Sequence, residues 1–362
     1  MIHPQIRVLS DDLTGALDAS VWLFDAGSAV VGWSGPQADL SVLTTDSRDC
    51  AEDAVAAVIA PAAEWLLSAR LAFLKCDSRL RGNLAVELAA LIACRAPRRI
   101  VIAPALPAMG RIFHNGRLLC RAHAGDGWTT EPTDLNRELL ARGHVCTPRA
   151  PQSPDEEGIF LCDARTDADL DVVARQAADD TLWCGSSGLA AALARRDGRQ
   201  RPATIPINSP VLVLVGTVHP LTLEQMSHLE TADPGAICRI GPEAEEGAER
   251  RVAAKIAAGR SCLVSVRMAD NVHAAAAARI IDRAYARLLA QIPRPSGLMV
   301  TGGATLKAVA TTLGAQGLRI EGQIAPGVPV SRLVGGRWDD LVVASKSGGF
   351  GKIDLFSRIC TA

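Results

Sequence analysis

Short apolar runs alternate along the chain with longer stretches of helical spacing. Residues 6–10, 29–33, 40–44, 71–74, 100–103, 159–162 and 181–184 read as strands, and 51–69, 84–93 and 167–178 as helices. Several of these runs are apolar at nearly every position, the pattern of a strand covered on both faces. The same rhythm returns at 211–215, 262–266, 297–300 and 341–344. Alternating β and α elements predict an α/β protein with mainly parallel sheets covered by helices. Asn115-Gly116 reads as a hairpin turn, and 120–132 is the least regular stretch of the first half. Residues 195–210 hold three prolines and read as the linker region. The expected organisation is a first domain over 1–200, a linker at 201–210 and a second domain over 211–362, with the active site in the cleft between the domains.

The polar residues collect where strands end. Asp11 and Asp12 follow the first run, Thr45-Asp46-Ser47-Arg48 follows the third, and Lys75-Cys76-Asp77-Ser78-Arg79-Leu80-Arg81-Gly82-Asn83 follows the fourth. Ligands of open α/β sheets bind at that edge, because the loops beyond the strand ends converge there. A helix N-cap accounts for one acid at position 11 or 12, and ion pairing accounts for some of the charges around Asp77. Lysine and arginine at such a place can also clamp a carboxylate.

Two glycine-rich turns mark the C-terminal part. Thr301-Gly302-Gly303-Ala304-Thr305 lies between an apolar run and a helical pattern, and Lys346-Ser347-Gly348-Gly349-Phe350-Gly351 follows another apolar run. Such turns offer backbone N–H groups to phosphate, aided by a helix N-terminus. Lys346 is placed to neutralise phosphate charge. Neither turn is a G-x-x-x-x-G-K-[ST] loop or a G-x-G-x-x-G fingerprint, which argues against a dinucleotide dehydrogenase. Gly216-Thr217-Val218-His219-Pro220 ends the run at 211–215, and its His219 reads as an exposed loop residue more readily than as a functional one.

Length and composition narrow the class. The chain has 362 residues, enough for two domains, with 48% hydrophobic residues and a formal net charge of −1. No basic field is present to hold nucleic acid or an anionic membrane. The N-terminal stretch has no signal-peptide pattern and no apolar run reaches membrane-spanning length, so a cytoplasmic location is expected. Ten cysteines are scattered without a C-x-x-C pair, the usage of buried thiols in a reducing compartment.

Taken in order, Asp11 to Ala16, Thr45 to Arg48, Lys75 to Asn83, Ala103 to Pro107, Cys184 to Ala190 and nearly everything from Val300 to Gly351 resemble the four-carbon acid sugar kinases. These are ATP-dependent enzymes that phosphorylate threonate, erythronate and related tetronates. The resemblance runs from Arg7 to about Cys360. It implies an N-terminal domain for the acid sugar, a C-terminal domain for ATP with Mg²⁺, and phosphoryl transfer to an alcohol group. On this reading Asp12, Asp77 and Arg81 are the catalytic residues, with Asp12 as the base and Asp77 and Asp11 as alternatives. Asp11, Arg48, Lys75 and Ser78 contact the substrate. Thr217, Gly302, Gly303, Ala304, Thr305, Gly348, Gly349 and Gly351 contact the nucleotide, and no metal-ligating residue is assigned. The partners implied are the acid sugar and ATP, and a homodimer is compatible with the sequence. Three departures bear on substrate and activity. Gly216-Thr217-Val218-His219-Pro220 stands where the family has Gly-Ser-Cys-Ser-Pro, Arg79 stands where it has threonine, and the stretch between Leu119 and Leu139 is short. The second reading is therefore a catalytically impaired member that binds an acid sugar or a nucleotide.

Overall fold

The computed structural model describes residues 6–122, 127–153, 155–176, 180–243, 247–268 and 272–361. The N-terminal pentapeptide and the last residues of the helix expected over 167–178 lie outside these. The chain divides into two compact units, one of Met1–Asp25 with Ala29–Arg201 and one of Ala26–Ser28 with Pro202–Ala362. Both are α/β. The peptide before Val211 belongs to the second unit, where the Ile205 N–H donates to the Gln323 carbonyl at 2.9 Å.

The first unit carries strands β1 (Ile6–Ser10), β2 (Val30–Gly32), β3 (Val42–Thr44), β4 (Leu71–Lys75), β5 (Arg99–Ala103), β6 (Arg111–His114), β7 (Arg117–Arg121), β8 (Trp128–Thr130), β9 (Cys146–Thr147), β10 (Gly158–Leu161) and β11 (Thr181–Gly185). Its helices are α1 (Leu13–Leu23), α2 (Glu52–Leu67), α3 (Leu84–Cys94), α4 (Leu135–Ala141), α5 (Asp167–Arg175) and α6 (Ser187–Arg196). The main sheet runs β2-β3-β1-β4-β11-β5-β10-β9 with every pair parallel. Helices α1, α5 and α6 pack together, as do α2, α3 and α4. The apolar runs are buried as their pattern required: Val8, Leu9, Phe73, Leu74, Val101 and Ile102 are all out of solvent. A separate antiparallel ribbon, β6-β7-β8, turns at Asn115-Gly116, both at positive φ as a two-residue hairpin demands.

The second unit carries β12 (Val211–Val215), β13 (Ile237–Ile240), β14 (Cys262–Val266), β15 (Gly297–Thr301), β16 (Gly317–Ala325), β17 (Val328–Val334) and β18 (Val342–Lys346). Its helices are α7 (Pro220–Ala232), α8 (Ala248–Ala257), α9 (Ala274–Gln291), α10 (Gly303–Thr312) and α11 (Leu355–Cys360). The strand order is β13-β14-β12-β15-β18-β17-β16, parallel through β18 and antiparallel in the hairpin β16-β17 and its pairing to β18. Val213, Val215, Met299, Ala344 and Phe356 form one core beneath this sheet. Among the described residues no helix is long and apolar enough to cross a membrane.

Both sheets reverse direction once. From β1 the chain leaves towards β2 on one side and from neighbouring β4 towards β5 on the other; β12 and β15 part in the same way towards β13 and β16. Loops at such a switch point diverge and leave a crevice beyond the strand ends, which is where open α/β sheets bind ligands. Each unit thus places its most polar strand ends at its own switch point.

Candidate functional site: an acid and cation cluster, and a glycine-lined cradle

In the first unit the switch point gathers Asp11, Asp12, Arg48, Asp77 and Arg81. Asp12 is the N-cap of α1. Its Oδ1 accepts from the Gly15 N–H at 2.9 Å and from Arg48 Nη2 at 2.7 Å, while Oδ2 accepts from the Thr14 hydroxyl at 2.6 Å. Gly15 leaves the room this needs, since a Cβ there would stand 2.3 Å from Asp12 Oδ1 and 3.1 Å from Lys75 Nζ. Asp11 is buried and grips Arg48 in bidentate fashion, Nε to Oδ2 at 2.7 Å and Nη2 to Oδ1 at 2.8 Å. Burial pushes the Asp11 carboxyl up to about 6 against the pull of Arg48, with Asp12 adding to the rise. Burial alone would lower the Arg48 guanidinium, but the carboxylates of Asp12 and Asp11 outweigh it and hold Arg48 above its ordinary value.

Asp77 anchors the loop after β4. It accepts from Arg81 Nε at 2.9 Å and Nη2 at 2.7 Å and from the Arg79 N–H at 2.9 Å, with Arg48 Nη1 at 3.7 Å. Burial raises this carboxyl, yet Arg81 and Arg48 prevail and keep it below the usual carboxylate range. Asn83 ties the Arg48 loop down by donating to the carbonyls of Ser47, Arg48 and Cys50. Lys75 is buried and donates to the Cys76 carbonyl at 2.7 Å. Ser78 accepts from Arg111 Nη1.

Arg79 does not add an unpaired cation to this cluster. Its Nε and Nη2 both reach Glu131 Oε1, at 2.9 and 2.7 Å, so its charge is balanced by an acid just beyond β8. The sequence reading also passed over three polar residues. Asp18 lies within α1; burial raises its carboxyl, and Lys75 and a hydrogen bond with Ser187 counter that rise. Arg111 opens β6, and its burial lowers it. Glu87 lies among the apolar positions of α3 and accepts from Ser47 Oγ at 2.9 Å.

Glu87 carries a pH prediction. Burial first, and then the neighbouring Asp11, push its carboxyl up to about 8. The folded state therefore holds a proton that the unfolded chain releases near its ordinary carboxylate value. The stabilisation is complete below that value and is lost as pH rises through about 8. Thermal unfolding followed by circular dichroism is expected to show a midpoint that falls across this window, and Glu87→Gln is expected to flatten the slope.

In the second unit β12, β15 and β18 end side by side in three turns that are bonded to one another. The Gly216 N–H donates to the Thr301 carbonyl at 3.1 Å and the Gly302 N–H to the Lys346 carbonyl at 3.0 Å. Gly302 takes φ 93, a conformation that L side chains avoid. Its N–H is thus engaged within the sheet, and its part is to turn the chain into α10. This corrects its place among the phosphate donors. The N–H groups of Gly303, Ala304, Gly348, Gly349 and Gly351 donate to no described residue. Thr305 is buried with its hydroxyl against Gly216, where a Cβ would come within 2.0 Å of it. Thr217 Oγ1 accepts from the His219 N–H at 3.2 Å and lies beside Gly348. His219 is the N-cap of α7 through Nδ1.

Lys346 departs from its expected part. It is wholly buried, and Nζ donates to Thr222 Oγ1 at 2.9 Å, the Gly348 carbonyl at 3.1 Å and the Ser347 carbonyl at 3.4 Å. An ammonium so placed faces the inside of the turn. No group of three or more His, Cys, Asp or Glu suited to a metal ion occurs among the described residues.

These two sites coincide with two domain models: residues 6–148 match the sugar-binding N-terminal domain and 212–356 the nucleotide-binding C-terminal domain. The class is thus a two-domain protein with a sugar-binding and a nucleotide-binding half. Two proteins of Cupriavidus necator are each 30% identical to the chain: a D-threonate kinase, covering 90% of this chain and 89% of its own, and a 3-oxo-tetronate kinase, covering 98% and 96%. The chain belongs to the four-carbon acid sugar kinase family. A solved structure from Salmonella typhimurium, 21% identical, covers 98% of each chain at a TM-score of 0.75 and shares the fold.

Proposed function

We propose that the protein is an ATP-dependent kinase that phosphorylates a hydroxyl of a four-carbon acid sugar of the threonate, erythronate or 3-oxo-tetronate class, in carbohydrate catabolism. The observation that carries this reading is the pairing of chemistries at the two switch points. One presents acids and cations suited to a small polyhydroxy carboxylate, the other a row of backbone N–H groups suited to phosphate. Phosphoryl transfer asks for positioning and charge neutralisation more than for covalent catalysis. Asp12 would accept or orient the acceptor hydroxyl's proton. Asp11 and Asp77 fix Arg48 and Arg81, which would meet a substrate carboxylate together with Lys75 and Ser78. Gly303, Ala304, Gly348, Gly349 and Gly351 would take the nucleotide phosphates, with Thr217 beside them. Mg²⁺ would arrive with the nucleotide, bound mainly by its phosphates. A cytoplasmic enzyme fits this chemistry.

Gly348→Ala tests the cradle. The added Cβ would stand 2.6 Å from His219 Cβ and 2.8 Å from Thr217 Oγ1, so the turn must shift. A displacement of about an ångström in a phosphate-positioning turn is expected to lower kcat/KM for ATP on the order of a hundredfold. KM for the acid sugar should stay near its wild-type value. Unchanged ATP kinetics in this variant would remove the turn from the nucleotide site.

The relatives support threonate and 3-oxo-tetronate equally, being of equal identity within one organism. Release of ADP stimulated by one tetronate would settle the substrate and dismiss the reading as an impaired, ligand-binding member.

A further inference from the structure

The inner side of the second glycine turn is held by three side chains wholly out of solvent, Lys346, Thr222 and Gln225. Lys346 Nζ holds the carbonyls of Ser347 and Gly348, and the Thr222 hydroxyl donates to the Gly348 carbonyl at 2.8 Å. Gln225 Nε2 donates to the carbonyls of Phe350 at 3.1 Å and Lys352 at 2.9 Å. Each of these peptide bonds is trans, so its N–H points away from its carbonyl. Drawing the carbonyls of residues 347, 348 and 350 inward therefore turns outward the N–H groups of Gly348, Gly349 and Gly351. These are the three N–H groups of the turn that donate to no described residue.

A second observation concerns charge. No carboxylate among the described residues pairs with Lys346, whose Nζ lies 5.6 Å from the centre of the Phe356 ring. Burial pushes this ammonium down to about 7. A buried cation without a protein anion is costly, and an anion on the outer side of the same peptide groups would offset that cost through their dipoles.

We propose that Lys346, Thr222 and Gln225 are positioning residues for the nucleotide phosphates, aiming three backbone N–H groups from behind the turn without touching the ligand. The inference rests on the nucleotide-binding reading of this site. It gives the lysine of the turn a different task from a phosphate-contacting one: it reaches the ligand only through the Ser347–Gly348 and Gly348–Gly349 peptide groups.

Titration calorimetry with Mg·ATP, beside steady-state kinetics, tests this on Thr222→Val, Thr222→Ser and Lys346→Met. Thr222→Val keeps the shape but loses both hydrogen bonds, and is expected to weaken ATP binding about tenfold. Thr222→Ser keeps the hydroxyl and is expected to restore affinity to within about threefold. Lys346→Met should weaken binding more than Thr222→Val, while KM for any tetronate turned over stays unchanged. A merely structural role would lower the unfolding midpoint and move both KM values together. A folded Thr222→Val whose ATP affinity stays within about twofold of wild type overturns the proposal. Wild-type protein that binds ATP yet turns over no acid sugar overturns the kinase reading alone, and wild-type protein that does not bind ATP overturns both.

Discussion

Arg48→Met is expected to leave a protein that is both strongly destabilised and inactive. One guanidinium stands among three carboxylates, at 2.7 Å from Asp11, 2.7 Å from Asp12 and 3.7 Å from Asp77. Removing one partner from a buried charge network leaves the others uncompensated, at about 3–5 kcal/mol. The pH dependence identifies the cause. Asp11 is already raised to about 6 by burial, and without Arg48 it rises further. A raised carboxyl contributes stability that is present at low pH and lost as pH rises through its folded value. The gap in unfolding midpoint between variant and wild type should therefore be small in acid and widen towards neutral pH. A constant gap would mean that Arg48 matters through packing rather than charge.

Asp12→Asn is expected to lower kcat by roughly 10²–10⁴, the usual contribution of a general base. The variant is clean because asparagine caps a helix as well as aspartate does. It can still accept from the Gly15 N–H while losing its charge. Thermal stability should fall modestly, through the weakened contact with Arg48, and ATP affinity should not change. A kcat within a few fold of wild type would leave Asp12 as a cap and a partner for Arg48, and the base would be sought elsewhere. Asp77 is a poor replacement because Arg81 and Arg48 keep it ionised and of low basicity. Asp11 has the more suitable affinity for a proton, but both its oxygens are held by Arg48.

Much of this was legible in the sequence, for a definite reason. A buried parallel strand is apolar at nearly every position, so β1, β4, β12, β15 and β18 announced themselves, and with them the polar residues at their ends. The hairpin β16-β17 was not seen. Its strands alternate with polar and charged residues such as Arg319, Glu321, Gln323 and Arg332, and no apolar run marks them. Strand β8 lies in the stretch read as least regular, and its three residues are all exposed.

The sites divide along the same line. Their residue types and places along the chain were readable; the partners that fix each group were not, because they come from remote positions. Arg79 is a cation where the family has threonine, and only the fold shows that Glu131, 52 positions away, balances it. Lys346 is placed by sequence to neutralise phosphate charge, yet its ammonium meets Thr222 on α7, 124 residues earlier. Thr222 and Gln225 carry no signal at all, since threonine and glutamine on a helix are ordinarily exposed.

The central claim is tested most directly by a coupled assay for ADP release with Mg·ATP. The panel is D- and L-threonate, D- and L-erythronate, 3-oxo-tetronates and five-carbon aldonates at equal concentration. ADP release that depends on one four-carbon acid, and is lost in Gly348→Ala, is the result predicted here. Silence with every four-carbon acid, while ATP still binds, would contradict the kinase reading and leave a protein that binds its ligands without joining them.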